Sequence, residues 1–174
     1  MNSKLVSDIM KSMIAQADGN LHDIAHFMKV YTFARTIGVQ EGLSDADQET
    51  LEITAILHDI ACPMCREKYG NASGKLQEKE SATLVEAFLE DFKLPDGMLE
   101  RIAYLVSHHH TYTDVDGIDY RILLEADFLV NADEGKMSID AIQTARERIF
   151  KTATGTALLE SMYLAKLELS EISG

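Results

Sequence analysis

The stretch that decides the fold is residues 51–61, which read LEITAILHDIA. Its apolar residues recur at helical spacing, so the stretch predicts a helix that runs into the pair His58-Asp59. A carboxylate that follows so apolar a run is costly to bury unless it has a partner. The stretch therefore predicts both a core helix and, at the end of that helix, a charged group that needs a counter-charge.

Two further helices are predicted on the N-terminal side of this stretch. Apolar residues at helical spacing mark the first over about 5–14 and the second over about 21–42. Asn20 can cap the second helix, and Ser44 can cap the helix that contains residues 51–57. The second and third helices thus each have a distinct beginning in the sequence.

The C-terminal side is predicted to begin with a loop over residues 62–75, where proline, glycine, asparagine and serine cluster. Pro95 sits where the first turn of a later helix tolerates it. Five helices are predicted after the loop, marked by apolar positions within 84–89, 99–106, 122–130, 139–150 and 158–172. No run alternates between apolar and polar residues, so the prediction is an all-α, single-domain helical bundle over 1–174 with about seven to eight helices.

Charge and composition narrow the range of functions. The 174 residues carry a formal net charge of −13, which repels phosphate backbones, so a nucleic-acid polymer is not expected as a partner. A small phosphorylated substrate remains open if a cation sits where it binds, and so does a homodimer. The start MNSKLVSDIMKSM has no continuous apolar core, and no stretch reaches the ~20 apolar residues of a membrane span. The expectation is therefore a cytoplasmic protein with no membrane partner.

Four polar residues have apolar neighbours in the sequence, and each is unexpected at its position if it has no partner. They are His26 in the second helix, His58 and Asp59 at the end of the third, and Asp127 within ILLEADFLV. Two carboxylates and two imidazoles among apolar neighbours are better explained by a shared divalent cation. Taken alone, His26 would be interpreted as a core histidine. Successive residues of a helix point about 100° apart, so His58 and Asp59 can approach one metal together only near a helix end.

Four stretches of the chain carry a resemblance to a known family. They are HFMKVYTFA at 26–34, LEITAILHDIA at 51–61, SHHHTY at 107–112 and LLEADFLVNAD at 123–133. In this order they resemble the HD superfamily of metal-dependent phosphohydrolases. The resemblance covers about residues 20–135. It implies an HD-type helical core there, with 136–174 as C-terminal helices that pack on it.

The resemblance implies a metal site and a reaction. His26, His58, Asp59 and Asp127 would be the metal ligands, and the two nitrogens and two oxygens suit iron, manganese, nickel, cobalt or zinc. The ion would activate a water that attacks a small phosphate ester or anhydride, from a nucleotide or a related phosphometabolite. Asp59 would also orient that water or bridge a second metal.

The chain also departs from the family pattern. Members with two metals often have a histidine at the start of the helix after the His-Asp loop, and here the corresponding residue is Gln77. Glu78 or Glu80 could compensate with an oxygen ligand. One firmly held metal is therefore expected, and a second remains open. Gln77 and Glu80 are also candidates for contacts with the substrate.

Residues near the expected site suggest further roles. His108 and His109 are candidates to bind a second metal, contact a phosphate or donate a proton to the leaving oxygen, whereas His110 is expected in solvent. The alternative is a polar helix end with histidines near its negative dipole. Lys29 shares a helix face with His26 and is a candidate phosphate contact, and Lys75 is a weaker one. In each case a solvated side chain is the alternative.

The two cysteines form the motif Cys62-Pro63-Met64-Cys65, which has CxxC spacing. A structural zinc site would need two more ligands, and no strand is predicted before the motif to suggest a thioredoxin-like context. A packing role beside the pocket is favoured. Two other functions stay open for the whole chain: a nucleotide-binding sensor with a non-catalytic metal site, and a di-iron oxygenase. The absence of a histidine at position 77 counts against the oxygenase.

Overall fold

The computed structural model describes residues 3–165, and the polypeptide is helical almost throughout. These residues form nine α-helices and one short π-helix. They are α1 Ser3–Gln16, α2 Leu21–Gln40, α3 Asp45–Leu57, α4 Cys62–Tyr69, α5 Gly74–Leu89, α6 Met98–Val106, α7 Ile118–Glu134, α8 Ile139–Arg148, α9 Ala153–Leu159 and the π-helix Glu160–Leu164. No strand occurs within 3–165, so the predicted all-α architecture is confirmed. The part of the last predicted helix beyond residue 165 lies outside the described residues.

Helix α3 occupies the centre of the bundle, where it packs against α1, α2, α6 and α7. Every side chain from Gln48 to Leu57 is buried. Leu51 and Ala55 belong to one apolar cluster, with residues of α2 and α7. Ile53 and Ile56 belong to a second cluster, with residues of α1, α5 and α6. The stretch at residues 51–57 is thus apolar on both sides because it lies between two halves of the core.

The helix starts follow the predicted capping residues. The Asn20 side chain accepts a hydrogen bond from the backbone N–H of Asp23 at 3.2 Å, at the start of α2. Ser44 Oγ accepts one from the N–H of Asp47 at 3.2 Å, at the start of α3. Both bonds satisfy a backbone donor that the first helical turn leaves without an intrahelical partner.

The loop predicted over residues 62–75 is wrong for most of its length, because α4 spans Cys62–Tyr69. Pro63 lies in the first turn of α4, where a residue without an N–H costs no helical hydrogen bond. Gly70 ends the helix in a left-handed conformation, with φ +73°, and its N–H bonds the Arg66 carbonyl at 3.0 Å. The connection to α5 is therefore short, and it places the start of α5 close to the end of α6.

Two other boundaries differ from the prediction. Pro95 precedes α6 rather than lying in its first turn, because Gly97 has φ +78° and the helix begins only at Met98. Near the C-terminus, α9 begins at Ala153, earlier than predicted, because the Thr152 side chain caps it by accepting from the N–H of Gly155 at 2.9 Å. No helix within residues 3–165 is long and apolar enough to cross a bilayer.

Candidate metal centre

Three packed helices bring the four predicted ligands together. His26 lies in the middle of α2, Asp127 lies in α7, and His58 and Asp59 follow the last residue of α3. Helix α2 packs against both α3 and α7, so residues far apart in sequence meet at one point. The His58 side chain is fully buried, whereas the Asp59 side chain is 28% exposed. The cluster is therefore reached from solvent on the Asp59 side.

The ligand atoms of the four residues lie close together. His26 Nε2 is 3.1 Å from His58 Nε2. It is 3.5 Å from Asp59 Oδ2 and 3.4 Å from Asp127 Oδ1. His58 Nε2 is 3.7 Å from Asp59 Oδ2 and 3.5 Å from Asp127 Oδ1. The Nε2 atom of each imidazole thus lies 3.4 to 3.7 Å from one oxygen of Asp59 and one oxygen of Asp127.

These separations fit one bound cation. Ligands about 2.1 Å from a metal are about 3.0 Å apart at right angles and about 3.4 Å apart at the tetrahedral angle. The five separations between histidine nitrogens and their neighbours in the cluster, from 3.1 to 3.7 Å, lie close to these values or slightly above them. Imidazole nitrogen with carboxylate oxygen is also a ligand set that first-row transition metals favour over magnesium or calcium. The residues present therefore fit a divalent transition metal.

Outer contacts hold both imidazoles in the orientation that metal binding needs. His58 Nδ1 bonds the carbonyl of Ala55 at 2.8 Å, and His26 Nδ1 bonds Glu134 Oε2 at 2.8 Å. Each bond occupies the nitrogen that faces away from the cluster and leaves Nε2 directed inward. Asn131 similarly donates to Asp127 Oδ1 at 2.8 Å. Glu134 was not predicted from the sequence, although it lies seven residues after Asp127 and so on the same face of α7.

In the metal-free cluster, protons compensate the two carboxylates. Burial lowers the pKa of His26, but the hydrogen bond to Asp127, the charge of Asp59 and the contact with Glu134 outweigh it and raise that pKa to about 9. Burial raises the pKa of Asp59 and Asp127, yet the neighbouring imidazoles outweigh it and hold the pKa of both carboxyls far below the usual range. The carboxylates therefore stay charged, and positive charge collects between them.

We expect metal affinity to rise with pH because the cation displaces a proton from His26. With its pKa at about 9, His26 is protonated over the neutral range, and a metal binds only its neutral form. The apparent affinity for Mn²⁺ should rise up to about tenfold per pH unit and level off above about pH 9. The free energy of unfolding of the metal-free protein should change in the opposite direction. The raised pKa of His26 stabilises the folded state below pH 6.5, and this contribution is lost as the pH rises towards 9. Titration calorimetry from pH 6 to 9.5 measures the first trend, and urea unfolding measures the second.

The matched control for this prediction is Glu134→Gln. The amide keeps a hydrogen-bonding group beside His26 Nδ1 but removes a negative charge, so the pKa of His26 should fall. The rise in affinity should then level off at a lower pH than in the unchanged protein. An affinity for Mn²⁺ that does not vary between pH 6 and 9 would contradict the assignment of His26 as a ligand.

The histidine run at 108–110 is divided between two environments. His108 Nδ1 bonds the Tyr104 carbonyl at 2.7 Å, and its ring stacks on the Tyr104 ring at 4.3 Å between centroids. His109 is fully buried, and its Nε2 lies 3.4 Å from Asp59 Oδ1. His110 was expected in solvent, but it is partly buried and its Nε2 is inaccessible. Burial and the neighbouring His109 lower the pKa of His110 to about 4, so its imidazole is neutral at neutral pH.

The four residues suggested as substrate contacts are dispersed around the centre. Lys29 Nζ is 3.0 Å from Glu134 Oε1, so Lys29 and His26 contact the same carboxylate. Lys75 is exposed on α5. Gln77 is buried and donates from Nε2 to the Ala72 carbonyl at 2.9 Å. Glu80 instead accepts from the hydroxyl of Tyr69 at 2.5 Å and so ties α5 to α4.

Both cysteines are buried thiols on α4, and neither forms a disulfide. Burial, together with the charge of Asp59, raises the pKa of the Cys62 thiol well above its usual range, and burial also raises the pKa of Cys65. Thiols in this state are poor nucleophiles and poor metal ligands at neutral pH. Their environment supports a packing role close to the metal centre.

Comparison with known proteins identifies one related family. A family model described as HD domain matches residues 21–153 of the chain. This range begins with α2 and ends at the start of α9, so it contains all four predicted ligands and the three helices that position them. No curated protein and no solved structure gives a significant match.

Proposed function

Because the chain belongs to the HD domain family, whose members are in general metal-dependent hydrolases, we propose that it hydrolyses a small phosphate ester or anhydride. The observation that carries the proposal is that the Nε2 atoms of His26 and His58 lie 3.1 Å apart, each within 3.7 Å of an oxygen of Asp59 and of Asp127. A bound cation would polarise the phosphoryl group. It would also lower the pKa of a bound water, which could then act as a nucleophile at neutral pH.

We assign to Asp59 the role of orienting the attacking water. It is the most exposed of the four ligands, and it lines a crevice with Met13, Phe27 and Pro63. Its carboxyl stays ionised because its pKa is held low, so it can accept a hydrogen bond from an attacking water and fix the orientation of that water. The remaining three ligands are buried and hold the site together.

Two basic side chains beside the centre supply positive charge for a phosphate in an otherwise acidic protein. Lys29 is paired with Glu134 at one side of His26. Arg66, which was not singled out in the sequence, is paired with Asp23 where α4 faces α2. Each side chain is about half exposed, at 47% and 43% respectively, so each can turn to an incoming phosphate. We propose a nucleotide or another small phosphometabolite as the substrate.

Metal removal and return tests the proposal. Protein treated with a chelator should lose at least about 90% of its phosphate release from a panel of nucleotides and phosphate monoesters. Addition of Mn²⁺, Fe²⁺, Co²⁺, Ni²⁺ or Zn²⁺ should restore it, with one or more of these ions effective. Turnover that is equal with and without metal would contradict the proposal. Tight binding of a nucleotide without turnover under every condition would instead support a sensor.

A further inference from the structure

Tyr112 is a large exposed side chain with no partner in the described part of the chain. Its surface is 47% exposed, and within residues 3–165 it forms no hydrogen bond and no ring contact. The five other tyrosines each bond their hydroxyl or pack their ring on another aromatic side chain. An aromatic side chain with a free hydroxyl is suited to contact a ligand, because it offers both an apolar face and a hydrogen-bond donor.

The backbone on the N-terminal side of Tyr112 is held by two helices. The carbonyl of Thr111 accepts a hydrogen bond from the Tyr120 hydroxyl of α7 at 2.7 Å. The Thr111 hydroxyl donates to Glu78 Oε1 of α5 at 2.9 Å. Tyr112 therefore follows a fixed residue although its own side chain is unbonded. A group that is already held in place loses less conformational entropy when a ligand binds.

The Tyr112 hydroxyl lies near the proposed metal centre. Burial of the hydroxyl and the charge of Asp127 together raise its pKa to about 12. Charges separated by more than about 10 Å are largely screened in water, so the hydroxyl lies in the surroundings of that ligand. The same segment reaches the other carboxylate of the cluster, since His109 Nε2 is 3.4 Å from Asp59 Oδ1. Because its pKa is high, the Tyr112 hydroxyl is protonated at neutral pH and can donate a hydrogen bond.

We propose that Tyr112 contacts the substrate and that its hydroxyl donates a hydrogen bond to an oxygen of the phosphoryl group. The ionised carboxylates of Asp59 and Asp127 can only accept hydrogen bonds, and they repel the negative charge of a phosphate. A donor beside them offsets part of this repulsion. The contact rests on the proposed function, since it requires a phosphate at this cluster.

Tyr112 differs in one respect from the two basic residues that we propose as phosphate contacts. Lys29 is paired with Glu134 and Arg66 with Asp23, so each must leave an ion pair before it can bind a phosphate. The Tyr112 hydroxyl gives up no partner within residues 3–165. We therefore expect its contact to contribute even to the binding of inorganic phosphate, the smallest ligand of this class.

Binding of inorganic phosphate to the Mn²⁺-loaded protein tests the contact. Tyr112→Phe removes the hydroxyl and keeps the ring. It should weaken phosphate binding about tenfold in titration calorimetry and lower kcat/KM for nucleotides about ten- to a hundredfold, as expected for a hydrogen bond to a charged group. Elemental analysis should show the same Mn²⁺ content as in the unchanged protein, because Tyr112 is not a proposed ligand.

The matched control is Tyr104→Phe, since Tyr104 is also partly exposed but packs its ring on His108. Its phosphate affinity and its kcat/KM should stay within about twofold of the values for the unchanged protein. The chain has no tryptophan, so its fluorescence comes mainly from tyrosine. Addition of phosphate should change this fluorescence in the unchanged protein and in Tyr104→Phe, but not in Tyr112→Phe.

The outcomes separate this contact from the proposed reaction. Phenylalanine at a half-exposed position should leave the protein folded, which circular dichroism checks. A Tyr112→Phe variant that binds phosphate and hydrolyses nucleotides as well as the unchanged protein would overturn the contact and leave the proposed reaction intact. Phosphate binding that depends on Tyr112, without hydrolysis of any phosphate ester, would support the contact and count against the proposed reaction.

Discussion

Replacing Asp127 with asparagine should reduce phosphate release roughly a thousandfold, which corresponds to about 4 kcal/mol of activation free energy. Asp127 Oδ1 lies 3.4 Å from His26 Nε2 and 3.5 Å from His58 Nε2, inside the cluster. An amide has the same shape but no charge, so the centre loses one of the two negative charges that attract the cation. Elemental analysis of the purified variant should show the metal content reduced with the activity.

The control for this substitution is Asp133→Asn, the same change six residues later on α7. Asp133 is exposed, so this variant should keep its metal and its activity within about twofold. If Asp127→Asn retained full activity with no bound metal, the proposed reaction would have to proceed without this centre. Retained metal with lost activity would assign Asp127 to the reaction rather than to metal binding.

The clustering of the four candidate ligands could be anticipated from the sequence because each combines a polar group with apolar neighbours. Asp59 after ITAIL and Asp127 within ILLEADFLV are positions where an isolated charge would be too costly to bury. The structure brings both carboxylates to the same two imidazoles. The helix order could also be predicted, because Asn20 and Ser44 cap helices whose apolar periodicity is strong.

The environment around the ligands could not be predicted in the same way. Whether His108 or His110 faces the centre depends on the geometry of one turn after α6, for which there is no periodicity to use. The contacts that fix the position of His110 come from a distant segment. The Gly74 backbone lies beside the His110 ring, and Glu78 accepts a hydrogen bond from the backbone N–H of His110. Helix α4 was not predicted because most of its exposed residues are charged. Only Cys62 and Cys65 are buried, too few to produce an apolar periodicity.

Helix α7 carries both Asp127, a proposed metal ligand, and the contact that attaches the C-terminal helices. Asp127 faces α2 and α3, whereas Glu125, only two residues earlier, faces the segment before α9. Glu125 is fully buried and accepts from the backbone N–H groups of Lys151 at 2.6 Å and Thr152 at 3.0 Å. It also accepts from the Thr152 hydroxyl at 2.5 Å. A substitution that weakens this attachment should therefore also affect α7, the helix that carries Asp127.

Gly155→Ala should destabilise the folded protein by about 3 kcal/mol. A Cβ at this position would overlap Glu125 Oε2 and lie 2.7 Å from Thr152 Oγ1. Glu125 cannot move aside without breaking its bonds to residues 151 and 152, so α9 has to shift away from α7 instead. Urea unfolding of the metal-free protein, followed by circular dichroism, measures the change in the free energy of unfolding.

The sign of this effect separates the steric explanation from helix propensity. Alanine is more favourable than glycine inside a helix by about 1 kcal/mol, so Gly155→Ala would stabilise α9 if the position had room. The matched control is Ala157→Gly, the reverse change at an exposed position of α9, which should cost about 1 kcal/mol from propensity alone. A Gly155→Ala variant as stable as the unchanged protein would show that α9 does not pack against Glu125. A destabilised variant that also binds Mn²⁺ more weakly would show that the C-terminal helices help to position Asp127.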